Sequence, residues 1–170
     1  MEKPALVLAK ELVDGDRLKL EAASNVTPSG GGARDFRFPK KHLPALERIF
    51  SREGERGGRA LRLADLHYQK RNGQPAVQSD VELWEPTDSR PNEYRIAKIH
   101  KLEVFADPPP AEQNRVFAVF TQYTDGVVRF GYVTERQLRH EDSDRKIADA
   151  LDAAVSLTPE GQAIIFSTEV

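Results

Sequence analysis

Two apolar runs joined by an Asp-Gly pair constrain the fold of this 170-residue chain most strongly. Residues 116–124 and 127–133 are rich in aromatic and β-branched side chains, and Asp125-Gly126 lies between them. An Asp-Gly pair between two such runs is typical of a tight β-hairpin, because both residues tolerate the positive φ that the turn requires. We therefore expect an antiparallel pair of central strands here.

The rest of the chain predicts further short strands and few helices. The apolar run at residues 6–12 fits either a short helix or a strand. A short helix is predicted after Pro39, with Pro44 in its first turn and Gly54, Gly57 and Gly58 ending it. A second helix is predicted over residues 147–155, and the Asp142–Asp144 segment is predicted to cap its amino end. Other predicted strands span residues 17–23, 36–38, 60–68, 95–102 and 163–166, and one begins at 81–84 after a turn at Asn72-Gly73.

This pattern predicts a mainly β fold with a minor helical part: about seven or eight strands and two short helices in one antiparallel barrel or sandwich over residues 1–170. The chain has no cysteine, which excludes disulfides, cysteine-ligated zinc and a thiol nucleophile. No run approaches the roughly 20 apolar residues of a membrane span, so we expect a soluble, cytoplasmic protein. The four histidines lack ligand spacing, and we expect neither a metal nor another cofactor.

Two polar segments, each joined to a strand-like run, are the candidate functional features. The first arm is residues 30–35, the tip of a hairpin predicted over residues 17–38. The second arm is residues 89–95, which connects two predicted strands. Arginine, asparagine and glutamate are suited to guanine, adenine and the cytosine amino group in the major groove. Two such arms on one small domain predict sequence-specific binding of double-stranded DNA.

The distribution of charge supports this prediction although the net charge is -2. Residues 34–101 carry 15 basic and 10 acidic groups, whereas residues 102–170 carry 6 basic and 12 acidic groups. The surplus of positive charge thus coincides with the charged residues of both arms. Such an asymmetry is expected of a local phosphate-facing surface on an otherwise acidic body, although surface charge also clusters by chance.

The order of these parts, over roughly residues 17–155, resembles the B3-like pseudobarrel DNA-recognition domains of certain type II restriction endonucleases. Residues 23–39, from Ala-Ser-Asn through the glycines to Phe-Arg-Phe-Pro, resemble the first recognition arm of that family, and Asn92-Glu93-Tyr94-Arg95-Ile96 resembles the second. The resemblance implies seven strands, two helices, no metal, and arms that clamp the major groove. It also implies that cleavage belongs to a nuclease domain or subunit elsewhere.

The resemblance implies base reading by Glu93 and Arg95, arm shaping by Asn92 and groove or phosphate contact by Arg90. Pro91 departs from the basic residue that related arms tend to have, and Ala33-Arg34-Asp35 stands where a histidine or another donor is found, which leaves the target sequence open. The predicted DNA-binding residues are Arg34, Asp35, Arg37, Arg90, Asn92, Glu93, Tyr94, Arg95 and Lys98.

Several residues have a second interpretation. The first arm fits a flexible surface turn, and the charges of the second fit a solvated ion-pair ladder. Trp84 fits a base-stacking residue or a core anchor. The carboxylates lack the nearby lysine of a nuclease magnesium site, so we expect this chain not to be an enzyme. The alternative function is a protein-interaction or assembly module of a DNA-defence system that uses the acidic carboxyl half. The basic residues between the arms fit a phosphate-binding face or a mixed solvated surface: Arg52, Arg56, Arg59, Arg62, Lys70 and Arg71.

Overall fold

A computed structural model describes residues 4–12, 35–70, 72–97, 116–134 and 164–167. Nine strands within these ranges form one curled sheet, which confirms the prediction of a mainly β fold. The predicted strand at residues 17–23 and the predicted helix before residue 156 lie outside the described ranges. The strands are β1 (Pro4–Glu11), β2 (Phe36–Pro39), β3 (Arg52–Arg56), β4 (Arg59–Gln69), β5 (Pro75–Trp84), β6 (Glu93–Ile96), β7 (Val116–Tyr123), β8 (Val128–Thr134) and β9 (Ile164–Ser167).

The strand order across the sheet is β2-β6-β5-β4-β8-β7-β1-β9, and β3 pairs with β4 beside this path. Every pairing is antiparallel except the short one between β4 and β8, where Leu66 lies opposite Val128 and His67 opposite Arg129. This parallel contact joins two halves of the sheet. The first half contains β2, β3, β4, β5 and β6, and the second contains β1, β7, β8 and β9. Both predicted arms border strands of the first half.

The central hairpin turns at the predicted Asp125-Gly126 pair, although Asp125 does not adopt the positive φ that was expected of both residues. Gly126 has a φ of 87°, which a glycine adopts without steric cost, and the Asp125 carboxylate accepts a hydrogen bond from the Val127 amide at 3.0 Å. β7 and β8 then pair in register from Gln122 opposite Val128 to Val116 opposite Thr134. The turn chemistry therefore fixes this register locally.

The helix α1 (Leu43–Ile49) follows a 3-10 turn at Lys40–His42 and begins with Pro44 in its first turn, as predicted. The prediction that the glycines end this helix is wrong, since its last residue is Ile49 and Gly54 lies inside β3. Gly57 and Gly58 instead form the turn from β3 to β4 with φ values of 58° and 74°. β3 was missed because its sequence, Arg-Glu-Gly-Glu-Arg, has no apolar residue to alternate.

Other strands differ from the predictions in extent. The amino-terminal apolar run is a strand, β1, whose middle is fully buried between β7 and β9. β5 begins at Pro75, six residues before the predicted start at Val81; this first half is mostly exposed and has no alternation of buried apolar residues to predict it. The described strand count of nine therefore exceeds the predicted seven or eight.

One apolar core lies on the face of the sheet that α1 covers. Ala45, Leu46 and Ile49 of the helix pack against strand residues such as Phe38 and Phe120. Polar bonds fix the helix to the sheet at two points: Arg62 donates to Glu47 at 2.9 Å, and Gln122 donates to the Arg48 carbonyl at 2.9 Å. We call this the inner face, and the opposite side of β2, β6, β5 and β4 the outer face.

Candidate nucleic-acid interface

The strands that border the two arms are paired with each other. β2 follows the first arm, β6 includes the last residues of the second arm, and Arg37 lies opposite Arg95 in their antiparallel ladder. Phe36 and Ile96 are also opposite each other, and both are buried in the core. Because side chains alternate along a strand, Arg37 and Arg95 point to the outer face. The strand that follows the first arm and the last residues of the second arm therefore share one four-residue ladder.

A chain of ion pairs runs along this ladder on the outer face. A carboxylate oxygen of Asp35 lies 3.5 Å from the Arg95 guanidinium, and the other lies 3.5 Å from that of Arg37. A carboxylate oxygen of Glu93 lies 3.7 Å from Arg37 and 3.9 Å from Arg90. We call these five residues the charge cluster. It carries three positive and two negative groups and connects the two arms.

The members of the charge cluster differ in exposure. The Asp35 side chain is only 5% exposed, whereas those of Arg37 and Arg90 are 39% and 41% exposed. Asp35 is therefore placed to hold the partly exposed Arg37 and Arg95 from below. Three guanidinium groups share two carboxylates, so the carboxylates do not neutralise all of them.

The hydrogen bonding of the charge cluster is incomplete within the described residues. Oδ1 of Asp35, Nε of Arg37 and an Nη of Arg90 are buried atoms that have no hydrogen-bond partner there. Their ion-pair distances of 3.5 to 3.9 Å exceed the usual 2.7–2.9 Å of charge-assisted hydrogen bonds. The cluster thus holds its charges close together through ion pairs that are longer than good hydrogen bonds.

The second arm is held by backbone contacts. Thr87 and Arg90 exchange hydrogen bonds between their amides and carbonyls at 3.2 and 2.8 Å, which closes a tight turn. The hydroxyl oxygens of Thr87 and Ser89 lie 3.1 Å apart. The Asn92 carbonyl accepts a hydrogen bond from the Lys40 amide at 2.9 Å and so ties this arm to the end of β2. Arg90 is therefore presented on a defined loop.

An open cleft lies between β2 and the second arm. Its volume is about 700 Å³. The charged lining consists of Arg37, Arg90 and Glu93, and the remaining lining residues are Phe38, Pro39, Pro91 and Asn92. The predicted DNA-binding residues did not include Phe38 and Pro39. The Phe-Arg-Phe-Pro sequence directly after the first arm is the signal that these two residues border the arm.

The structure brings together five of the nine predicted DNA-binding residues as the charge cluster, with Asn92 beside them. Tyr94 lies on the inner face, 6% exposed and in the core, so it is separated from the cluster by the sheet. Burial, with Glu85 and Glu47 nearby, raises the pKa of the Tyr94 phenol above 10.0. Lys98 and residues 30–34 of the first arm, which include Arg34, lie outside the described residues.

The outer face continues from the charge cluster onto β5 and β4. Arg95 lies opposite Trp84, and Trp84 lies opposite Leu61. Trp84 donates a hydrogen bond from its indole nitrogen to Glu82 at 3.0 Å, and Arg59 lies over the indole ring at 5.0 Å from its centroid. Glu82 is buried and also pairs with Arg56. Sequence analysis left Trp84 between a base-stacking role and a core anchor, and the structure places it half-buried on the outer face.

No protein-family model and no curated protein matches this chain. Among the described residues, no group of three or more histidine, aspartate or glutamate side chains is placed to hold a metal ion. No helix in the described ranges is long and apolar enough to cross a membrane. The fold class is thus mainly β, with one curled sheet and a charge cluster on its outer face.

Proposed function

We propose that this chain binds double-stranded DNA sequence-specifically, with the charge cluster and the second arm in the major groove. The pairing of β2 with β6 carries the proposal, because it places Arg37, next to the first arm, opposite Arg95 of the second arm. The major groove is about 12 Å wide. A four-residue ladder spans about 10 Å at 3.3–3.4 Å per residue, which is comparable with that width.

The chemistry of the charge cluster fits base edges better than phosphate alone. Arginine donates two parallel hydrogen bonds to guanine, and glutamate accepts one from the cytosine amino group. Arg95 and Glu93 supply both groups within one strand. A surface for phosphates alone would need no carboxylates, whereas this one places Asp35 and Glu93 among its arginines. The carboxylates hold the arginines in position and oppose binding to phosphate at random sequences.

DNA binding by an acidic chain requires a local positive surface. The chain carries a net charge of -2, and the charge cluster carries three basic and two acidic groups. When guanidinium groups leave their loose ion pairs and bind DNA phosphates, cations bound to the DNA are released. The affinity for DNA therefore falls as the salt concentration rises. We assign phosphate or groove contact to Arg90 and base contact to Arg37, Glu93 and Arg95. Arg34 and Lys98 belong to the proposal on their sequence positions alone.

The proposal extends to the role of the chain in a larger system. A B3-like pseudobarrel of restriction endonucleases is the family proposed from the two arms, and the mainly β curled sheet supports it. In this role the chain recognises DNA in the cytoplasm without a cofactor, and a separate nuclease domain or subunit cleaves it. We propose no catalytic residue in this chain.

Substitution of Arg95 tests the proposal. Arg95→Ala removes a bidentate donor, and we expect it to weaken binding to the preferred duplex by about 1–3 kcal/mol while binding to a scrambled duplex changes much less. Equilibrium binding would be measured on both duplexes at near-physiological salt with EDTA present. Arg48→Ala is the matched control, because Arg48 is exposed on α1 on the other side of the sheet. Equal losses on both duplexes would contradict base reading by Arg95.

A further inference from the structure

An unmatched arginine lies at the tip of the β3–β4 hairpin. Arg56 and Arg59 are directly opposite each other across this hairpin. Like charges in such a pair destabilise a sheet. The charge of Arg56 is matched by the buried carboxylate of Glu82. Arg59, in contrast, has no carboxylate within ion-pair distance among the residues that the structure describes, and it is exposed.

The Arg59 guanidinium is held in place by an aromatic ring rather than by an acid. Its central carbon lies 5.0 Å from the centroid of Trp84, a distance typical of cation–π contact. The indole is fixed in turn by its hydrogen bond to Glu82, at 3.0 Å. An arginine held by its face keeps its N–H groups for another acceptor, and the planar fork of these groups matches phosphate. Trp84 and Glu82 thus orient Arg59 without neutralising it.

The position of Arg59 relative to the charge cluster suggests which acceptor it meets. The register connects Arg37 of β2 to Arg95 of β6, Arg95 to Trp84 of β5, and Trp84 to β4. Trp84 lies opposite Leu61, and Arg59 is two residues from Leu61 along β4, so Arg59 shares the outer face. Three strand spacings of 4.7–4.9 Å and two residues along β4 separate it from Arg37, or about 16 Å in total. This separation exceeds the width of the major groove, about 12 Å, so we expect Arg59 to reach the backbone that borders the groove rather than a base inside it.

We propose that Arg59, positioned by Trp84, binds a backbone phosphate that borders the groove occupied by the charge cluster. This inference rests on the proposed function. It assigns to Arg59 a contact that holds the protein on DNA of any sequence, whereas the charge cluster discriminates between sequences. Trp84 is a positioning residue in this role and does not stack on a base.

The test is the salt dependence of DNA binding by Arg59→Gln. Each lost phosphate contact reduces the slope of log affinity against log salt by about 0.9. Raising the salt concentration fourfold, from about 50 to 200 mM, should therefore weaken wild-type binding about threefold more than binding by Arg59→Gln. We expect the same change on the preferred and the scrambled duplex. Arg48→Gln, an exposed arginine on the inner-face helix, is the matched control and should keep the wild-type slope.

Trp84→Leu tests the positioning role. This variant should lower the slope as Arg59→Gln does, and the double variant should lower it no further, because the two residues act on one contact. Should Trp84→Leu fail to fold, Trp84→Phe keeps an aromatic face, and its slope should lie between those of the wild type and Arg59→Gln.

Three results would overturn the inference. An unchanged slope for Arg59→Gln would mean that Arg59 only covers the indole ring. A loss confined to the preferred duplex would make Arg59 a base contact. Both results leave the proposed function standing if the wild-type protein still discriminates between duplexes. Failure of the wild-type protein to bind any duplex would overturn the proposed function as well.

Discussion

The charge cluster depends on the buried carboxylate of Asp35. The substitution Asp35→Asn therefore tests most directly how much the cluster contributes to the stability of the protein. The substitution keeps the shape of the side chain and removes its charge beneath Arg37 and Arg95, both 3.5 Å away. At an effective dielectric constant of about 20, each such pair has a Coulomb energy of roughly 5 kcal/mol. Solvent screening and the desolvation cost of the carboxylate reduce this value, because Arg37 is 39% and Arg95 20% exposed.

We expect the loss of stability in Asp35→Asn to lie between the values measured for two classes of ion pair. Exposed pairs contribute about 0–1 kcal/mol, and breaking a buried pair costs about 3–5 kcal/mol. For two pairs that share a buried carboxylate under half-exposed arginines, we expect a loss of about 2 kcal/mol in the free energy of unfolding. The variant should also bind scrambled duplex more tightly, because Arg37 and Arg95 lose their intramolecular partner.

Urea unfolding, followed by circular dichroism, measures this loss as a lower midpoint with an unchanged m-value. Asp88→Asn is the matched control, since it makes the same chemical change at an exposed position immediately before the second arm. We expect the control to stay within about 0.5 kcal/mol of the wild type. If Asp35→Asn also stays within that limit, Asp35 does not hold the arginines and our account of the cluster is wrong.

Two further predictions concern the core and the pH dependence of stability. Phe120 is fully buried, and its ring centroid lies 4.8 Å from that of Phe130. Phe120→Ala should therefore lower the free energy of unfolding, measured in urea, by about 3–5 kcal/mol, and Phe120→Leu should lower it much less. A loss below about 1 kcal/mol for the alanine variant would contradict the described core. Burial and the neighbouring Lys41 lower the pKa of His42 below 6.5, so the unfolded state binds more protons and stability falls as the pH drops below that value. His42→Gln should lose less stability than the wild type between pH 7.5 and 5.5, and equal losses would refute this assignment.

The sequence predicts those parts of the fold whose signal is local. The Asp125-Gly126 turn and Pro44 in the first helical turn were found because the residue types themselves determine the backbone there. β3 has no apolar alternation, so it is visible only through its pairing with β4. The parallel contact between β4 and β8 joins residues 62 positions apart, from Leu66 to Val128, and no local pattern reports such a pairing.

The candidate site was predicted in composition but not in geometry. The sequence located Asp35, Arg37, Glu93 and Arg95, yet it could not show that Arg37 lies opposite Arg95, because that depends on the register of β2 against β6. The placement of Tyr94 on the inner face follows from the same register. The contact of Arg59 with Trp84 was also hidden, since these residues are 25 positions apart and meet only through the β4–β5 pairing.

A selection of randomised duplex DNA on the purified protein tests the central claim most directly. The selection would be run at near-physiological salt with EDTA, in parallel with an Arg95→Ala, Glu93→Ala double variant and with Arg48→Ala. We expect the wild type and Arg48→Ala to enrich the same short motif, and the double variant to enrich none. Retention of duplex without any enriched motif would contradict base reading, and no retention at all would contradict DNA binding and favour a protein-interaction module.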